Sequence, residues 1–357
     1  MNKAFIYFIV IGISIGSCSK EKNSTDNNAE TSDLETGWEV PISKLILSNG
    51  SHDFIHSIDN PVFQNFNSND LDLNETLFVY RFENIVKVYP QNILEKHEIV
   101  NDSIGDHHFA ITFCPRTGSA LVWDREINGI VTEFGVSGHL FNENLIPYDR
   151  NSLSYWSQMS LRGIKGPGAN QVLESRQLIS TKPTTVALAF PNASVLIDPT
   201  KVTKNSKQTN LIQSKRFSST NQQQILGKDY LGIINRGFAK PDKVLLFDVD
   251  FITNSIELHT FNYGNSKLIV VRSSEYKFNV VFLNKTGDPN IQFYAIQDNL
   301  PTIFADSKGN NYDLSGLIIS GPLLGNRISS PISYSAHSFA WDLFFENEKD
   351  YFDPLSN

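Results

Sequence analysis

The chain has 357 residues and a formal net charge of −8 at pH 7, with 38 Asp and Glu residues against 30 Lys and Arg. Because a protein that binds nucleic acid presents a basic face to the phosphates, this balance argues against DNA or RNA as a partner. The 25 Phe and 12 Tyr residues suit half-buried strands. We therefore expect a β-rich fold of the α+β class.

The N-terminus has the pattern of a lipoprotein signal. Lys3 supplies a positive charge, residues 4–15 form an apolar run that is short for a membrane span, and two small residues precede Cys18. This pattern predicts a signal peptide over residues 1–18, with lipidation of Cys18 anchoring the chain to a membrane. A plain signal peptide and a chance apolar run are the alternative interpretations.

Residues 19–36 are polar and have no apolar periodicity, so we predict a flexible tether. Residues 19–22 resemble the charged export signal of surface lipoproteins. We therefore expect a lipid-anchored protein of the cell envelope, in the outer membrane and exposed at the cell surface. The globular region is predicted over residues 37–357, starting near Trp38.

The first clear elements follow in chain order. Residues 77–88 alternate between apolar and polar side chains, which predicts a hairpin with Glu83 and Asn84 at its turn. Pro90 ends the second strand, and residues 91–98 are predicted to form a short helix.

Beyond this point the chain repeats itself. Residues 77–90 align with 230–241, so that Lys87 meets Lys240, and residues 109–124 align with 268–283. Phe134 meets Phe293, Asp149 meets Asp306, and residues 166–167 meet 321–322, at offsets between 153 and 159 residues throughout. We predict two duplicated half-domains, at about 75–195 and 228–350, related by a pseudo-twofold axis. A solenoid would have repeats of only ~20–50 residues.

The first copy carries polar residues that the second copy lacks. Cys114, the one cysteine of the chain after Cys18, lies in a Cys-Pro turn, and Ser273 takes its place in the second copy. The apolar alternation is kept in both copies. Since the fold itself does not require these polar residues, we expect a site in the first copy, around residues 111–125.

A thiolate beside an imidazole suits nucleophilic catalysis or a soft metal ion of the copper type. We therefore expect Cys114 and His97 to be catalytic or metal-binding, with Glu98 and Arg125 as further catalytic candidates. The spacing between His97 and Cys114 allows a helix–turn–strand unit to bring both to the wall of a pocket. The alternatives are a buried apolar role for Cys114 and a helix C-terminus at His97.

Other polar side chains near this stretch are candidates for binding a ligand. For Asp102 the alternative is a turn. For Asp149 and Arg150, together with Arg125, the alternative is a structural ion-pair network. The candidates are Asp102, Arg116, Ser137, His139, Asp149 and Arg150.

Several blocks resemble the DUF3179 family, whose members are mostly exported and whose function is unassigned. The distinctive blocks are residues 53–63, 86–90, 97–102, 111–125, 134–150, 152–158 and 166–170. The family pattern around the cysteine is usually Tyr-Cys-Pro-Leu-Cys-Gly. In this chain Thr117 replaces the second cysteine and His139 replaces an aliphatic residue. The resemblance therefore weakens a two-cysteine redox or metal role for this member.

Two classes of function remain. The first is a thiol- or soft-metal-dependent envelope protein centred on Cys114 and His97. The second is a non-catalytic lipoprotein that holds a peptide, a glycan or a protein partner in a cleft between its halves. The replacement of a cysteine by Thr117 favours the second class.

Overall fold

Strands dominate the architecture, as the composition predicts. The computed structural model describes residues 37–198, 228–235, 242–249, 255–264 and 266–352. Within these residues the chain forms 27 strands and three short α-helices, so the fold is β-rich and its helical part is small. None of these helices is long and apolar enough to cross a membrane. Cys18, the predicted signal peptide and the predicted tether lie outside the described residues.

The first half, residues 37–198, holds sixteen of these strands, two α-helices and two short 3₁₀ turns, Ile42–Lys44 and Ser68–Asp70. Its elements are β1 (Leu45–Ile46), β2 (Phe63–Asn65), β3 (Leu77–Phe82), β4 (Ile85–Pro90), α1 (Gln91–His97), β5 (Ile99–Ile104), β6 (His107–Cys114), β7 (Ser119–Asp124), β8 (Glu126–Ile127), β9 (Ile130–Val131), β10 (Phe134–Phe141), β11 (Asn144–Asp149), β12 (Tyr155–Ser157), β13 (Arg162–Lys165), β14 (Ser175–Arg176), β15 (Ile179–Thr181), α2 (Pro183–Ala189) and β16 (Ser194–Leu196).

The second half, the described residues between 228 and 352, holds the remaining strands and one α-helix. Its elements are β17 (Asp229–Asn235), β18 (Lys243–Asp248), β19 (Glu257–Tyr263), β20 (Ser266–Ser273), β21 (Phe278–Leu283), β22 (Phe293–Ala295), β23 (Thr302–Asp306), β24 (Asn311–Asp313), β25 (Ile318–Ser320), β26 (Ser333–His337), α3 (Ser338–Phe345) and β27 (Lys349–Tyr351).

The predicted hairpin and helix are confirmed. β3 and β4 pair in antiparallel register, and Glu83 takes a positive φ of 49° at the turn between them. Pro90 has the φ that suits the residue before a helix, and α1 follows directly. The helix ends where Glu98 turns left-handed and donates its N–H to the Leu94 carbonyl at 2.7 Å.

Each half contains three sheets with related strand orders. In the first half the orders are β15-β3-β4-β16-β2, β14-β7-β6-β5 and β1-β10-β11-β12-β13, with β8 and β9 as a separate ribbon. In the second half they are β26-β17-β18-β27, β19-β20-β21 and β22-β23-β24-β25. The first sheet of each half contains two strands that are neighbours in the sequence, β3 and β4 or β17 and β18. A later strand pairs antiparallel with the first of them (β15 with β3, β26 with β17). A strand that follows an α-helix pairs parallel with the second (β16 with β4, β27 with β18).

The aligned blocks also occupy matching positions in the other two sheets. The β6–β7 hairpin pairs Phe109 with Asp124, and the β20–β21 hairpin pairs Leu268 with Leu283, the residues that the alignment matches to them. In the third sheet Phe134 lies opposite Asp149, and Phe293 lies opposite Asp306.

One aligned block is displaced from its predicted register. The strand that pairs with β17 begins at Lys243, beyond the end of the aligned block at residue 241. The counterpart of β4 is therefore β18, after a longer connection than the tight turn at Glu83. Lys240, the predicted counterpart of Lys87, lies outside the described residues.

The two halves share part of their cores. One cluster joins Val79 and Val88 of the first half to Val271 and Phe278 of the second. Another joins residues of β6 and β7, including Cys114, to β18, β26 and α3. Two further clusters lie within one half each, one around Phe109 and Ile111 and one around Phe247 and Val270. Each half therefore has a core of its own, and two shared clusters join the halves.

The hairpin turns lock the halves together. The carbonyl of Thr117, in the turn between β6 and β7, accepts a bond from the His337 N–H at 2.8 Å. The carbonyl of Tyr276, at the matching place between β20 and β21, accepts bonds from the hydroxyls of Thr181 at 2.8 Å and Thr185 at 2.7 Å. Each turn therefore docks on the strand-to-helix junction of the other half.

Candidate functional site

Cys114 ends β6 inside the shared core. Its side chain is 2% exposed, and its thiol donates a hydrogen bond to the Glu143 carbonyl at 3.9 Å. Burial raises the pKa of the Cys114 thiol, and hydrogen bonds from Thr117 lower it only in part. The group is therefore a neutral thiol at pH 7, which is a poor nucleophile.

His97 and Glu98 lie beside the end of β6, because the Phe113 N–H donates to the Glu98 carbonyl at 2.7 Å. The negative charge of Glu98 further raises the pKa of Cys114. His97 Nδ1 donates to the His56 carbonyl at 2.8 Å, and its buried Nε2 has no hydrogen-bond partner among the described residues. No hydrogen bond joins His97 to the thiol in this part of the chain. The helix–turn–strand unit is thus present, but His97 and Cys114 do not form a bonded pair.

Thr117, at the position of the family's second cysteine, is fully buried in a network of neutral polar side chains. Asn144 Nδ2 donates to the Thr117 hydroxyl at 2.8 Å and to Gln158 Oε1 at 2.8 Å. The Ser119 hydroxyl donates to the same Gln158 oxygen at 2.7 Å, and Gln158 Nε2 donates to Thr112 at 3.0 Å. A satisfied network of this kind fixes the packing of a core. It explains why the first copy carries polar residues that the second lacks.

Asp102 lies on β5, in the same sheet as Cys114, and Arg125 follows β7 of that sheet, but neither side chain bonds to the thiol among the described residues. Lys87 Nζ donates to both carboxylate oxygens of Asp102, at 2.7 and 2.9 Å, and the Tyr89 hydroxyl donates to it at 2.7 Å. Arg125 donates to the carbonyls of Thr132 at 2.6 Å and Asp102 at 3.2 Å. Burial lowers the pKa of Arg125, although nearby carboxylates oppose this change. Both side chains hold strands together.

Arg150 is the centre of an acidic cluster formed by residues far apart in the sequence. It makes ion pairs with Asp53 at 3.3 Å, Asp59 at 2.8 Å and Glu133 at 2.8 Å. Burial works to lower the pKa of Arg150, but bonds with Asp59, Tyr148 and Asp53 raise it above its usual value. The guanidinium is therefore already occupied by carboxylates, as expected for a structural ion-pair network.

Asp149 has a structural role in its turn. Its carboxylate accepts bonds from the Ser152 N–H and hydroxyl, both at 2.6 Å, and from Trp156 Nε1 at 3.0 Å. Asp306, its aligned residue, similarly accepts bonds from Asn310 N–H at 3.0 Å and from the Tyr312 hydroxyl at 2.7 Å. The same role in both halves favours turn formation over ligand binding.

The remaining predicted binding residues are also dispersed. Arg116 forms an ion pair with Glu143, and the buried Ser137 hydroxyl donates to the Ile146 carbonyl. His139 accepts a bond from the Ser48 N–H at 2.9 Å and stacks on Tyr155, with ring centroids 5.5 Å apart. Burial lowers the pKa of His139, and the nearby His52 and Lys165 add to this effect.

The predicted site residues therefore do not converge on one centre. The described residues contain no group of three or more His, Cys, Asp or Glu side chains placed to hold a metal ion. Cys114 and His97 supply two donors of a soft-metal set, and Thr117 supplies a hydroxyl already engaged by Asn144. Thiolate–imidazole coordination needs further ligands that these residues do not provide.

A cleft with a volume of about 660 Å³ lies between the halves. Residues of both halves line it, from β3, β7 and β15 of the first half and from β17, β21 and β26 of the second. Cys114 does not line it, but Gly118 of the same turn does. A smaller cavity, of about 500 Å³, is flanked by Phe141, Phe344 and Phe345.

Short polar side chains dominate the cleft wall. The first half supplies Thr76, Ser180, Thr181 and Lys182, and the second half supplies Ser273, Lys277, Asn279 and Ser335. Apart from Ser273, which the alignment places opposite Cys114, none of these was singled out from the sequence, because each is an ordinary residue of a strand, turn or loop. The duplication was the one available signal, since it implies a shared interface.

An Asp–His pair adjoins the cleft. His337 Nδ1 bonds to Asp229 Oδ1 at 2.5 Å, and the two residues lie opposite each other on β26 and β17. The imidazole packs on Gly118, where an added Cβ would lie 2.7 Å from the ring. The positive φ of 64° at Gly118 and this close approach both require glycine there. The pair is a second feature that the sequence did not reveal.

Comparison with known proteins gives one match. No curated protein and no solved structure matches the chain. The model of a family described as protein of unknown function (DUF3179) matches residues 52–348. That range includes the acidic cluster around Arg150 and every residue that lines the cleft, and it ends just before β27. The chain therefore belongs to the DUF3179 family.

Proposed function

We propose that the protein is a lipid-anchored component of the cell envelope that binds a ligand in the cleft between two duplicated halves. The observation that carries this proposal is the cleft itself. Its volume of about 660 Å³ falls within the range of ~300–1,000 Å³ that is usual for small-molecule sites. Both halves line it, as expected for a site at a domain interface.

The matching strand orders and registers support an ancient duplication. The reciprocal docking of the two turns, at Thr117 and Tyr276, is what a pseudo-twofold axis would produce. Such an axis would pass through the cleft, whose walls come from equivalent strands. Residues that differ between the two walls would then give the cleft its chemical preference.

The alternative, a thiol or soft-metal centre at Cys114, has less support. The thiol is buried and neutral, and its neighbour Thr117 is engaged by Asn144. The one observation in its favour is the unpartnered Nε2 of His97, which is buried near the end of β6. A single imidazole nitrogen beside a protonated thiol is a weak donor set.

The anchoring part of the proposal rests on residues 1–36. The apolar run and Cys18 predict lipidation, and the polar stretch after it would let the globular region stand away from the membrane. We expect Cys18→Ala to release the protein from the membrane fraction or to leave it as an unprocessed precursor. Normal processing with full membrane retention of this variant would contradict the anchor.

The binding part is tested by closing the cleft. Ser335 lies on β26 and lines the cleft, so Ser335→Trp would fill it with an indole ring. Thr260→Trp makes the same kind of change on an exposed position of β19, outside the cleft. The wild type and both variants would be applied to arrays of envelope oligosaccharides and of peptides.

We expect ligands that bind the wild type to bind Thr260→Trp equally and to be lost from Ser335→Trp. Thermal melting of each variant checks that folding is retained. Equal binding by both variants would place the ligand elsewhere on the molecule and contradict the proposal.

A further inference from the structure

One corner of the cleft brings two lysines together. Thr181 donates its hydroxyl to the Tyr276 carbonyl at 2.8 Å, and Lys182 and Lys277 directly follow these two residues. Both lysines line the cleft. They come from different halves, after β15 and before β21, so the fold and not local sequence brings both to the same cleft.

Neither ammonium group is neutralised. Among the described residues, Lys182 and Lys277 make no ion pair and no side-chain hydrogen bond. Two like charges that lie close together repel each other, and an anion between them removes this cost. Glu275 belongs to the same turn, but it does not line the cleft.

The acidic side chains of the cleft are already engaged. Glu75 accepts bonds from Asn92, at 2.8 Å from the backbone N–H and 3.0 Å from Nδ2. Asp229 is bonded to His337. Both carboxylates keep their negative charge, but Asn92 and His337 hold them in place. The ammonium groups of Lys182 and Lys277 have no such bonds among the described residues.

The corresponding corner of the cleft, at the turn between β6 and β7, has different residues at the two positions that align with Lys182 and Lys277. There His337 lies where the first half has Lys182, and Gly118 lies where the second half has Lys277. That corner is filled, because the imidazole packs on the glycine and bonds to Asp229. The cleft is thus asymmetric, with one closed corner and one open cationic corner.

We infer that the Lys182–Lys277 corner is an anion subsite, which recognises the carboxylate or phosphate of a polyhydroxylated ligand in the cleft. This inference rests on the proposed function and names the ligand class. The lysines supply charge-assisted hydrogen bonds to the anion. The hydroxyls of Ser180, Ser333 and Ser335 along the cleft suit the sugar hydroxyls of an acidic oligosaccharide.

The test compares ligands that differ in charge alone. Trigalacturonate carries carboxylates, and its methyl ester has the same sugar skeleton without them. Inorganic phosphate is the third probe, since it has the charge without the sugar. Calorimetry would measure all three on the wild type, on Lys182→Gln/Lys277→Gln, and on the control Lys267→Gln/Lys285→Gln, whose lysines are exposed on and just after the β20–β21 hairpin.

We expect the wild type and the control to bind trigalacturonate on the order of tenfold or more tightly than its ester. The cleft double variant should lose this preference. Binding of phosphate that equals or exceeds that of trigalacturonate would identify a phosphate-type ligand at the same corner.

Equal binding of the acid and the ester by the wild type would overturn the anion subsite and leave the proposed cleft function standing. Absence of saturable binding of both anions would also overturn it. If the wild type also binds none of the oligosaccharides and peptides on the arrays, the proposed function itself is wrong.

Discussion

Replacement of Asp102 by alanine is expected to lower the free energy of unfolding by about 3–5 kcal/mol. The Asp102 carboxylate accepts two bonds from Lys87 and one from Tyr89, and its side chain is only 5% exposed. Without it the Lys87 ammonium stays buried with the Ser103 carbonyl at 3.0 Å and the Phe63 ring as its remaining partners. Urea denaturation of the variant and the wild type measures the difference.

The matched control is an exposed ion pair. Asp342 accepts a bond from Lys349 at 2.6 Å and is 60% exposed, so Asp342→Ala should cost less than about 1 kcal/mol. A loss of the same small size for Asp102→Ala would show that water reaches the Lys87 ammonium. The buried pair would then not hold β4 to β5.

The second large effect concerns the shared cores. We expect residues 37–198, produced alone, to melt at a markedly lower temperature than residues 37–357, because the cluster around Cys114 also needs β18, β26 and α3. In this fragment a thiol reagent should modify Cys114 at the rate of a free thiol. In a chain that spans residues 37–357 the same thiol, 2% exposed, should react at least ~100-fold more slowly.

The denatured fragment gives the reference rate for the free thiol. An unchanged melting temperature of the fragment, with Cys114 still protected, would contradict the shared cores. Rapid labelling of Cys114 in the intact chain would instead favour a catalytic or metal-binding role for this thiol, since it would show that the group is accessible.

Local structure was predictable where a local signal existed. Glu83 and Asn84 marked a turn and Pro90 marked the start of a helix, and both signals depend only on the conformations these residues prefer. The β-rich class followed from the aromatic composition. The register of the block after Asn235 was predicted wrongly, because a longer connection replaces the tight turn there.

The site was harder to predict because polar residues can cluster for two reasons. They can form a reactive centre, or they can satisfy one another's hydrogen bonds inside the core. Thr117, Asn144 and Gln158 are polar because they satisfy one another inside the core. Arg150 is paired with Asp53 and Asp59, which lie about ninety residues earlier in the chain. The sequence alone could not separate such structural networks from a reactive centre.

The cleft lysines show a second limit of prediction from sequence, because no local pattern marks them. Lys182 and Lys277 are ordinary charged residues in the sequence, and they line the same cleft only because a turn of one half docks on a strand of the other. The internal repeat predicted two halves. It did not predict that their cores would interlock, since long-range packing depends on the whole chain.

The most direct test of the account is the stoichiometry and location of ligand binding to the intact globular region. Calorimetry on residues 37–357 with the strongest arrayed ligand should give one site per chain, because a single cleft is formed by two halves. Ser335→Trp should abolish the binding heat and Thr260→Trp should preserve it. Two equivalent sites per chain, or unchanged binding to Ser335→Trp, would contradict a ligand site in the cleft between the halves.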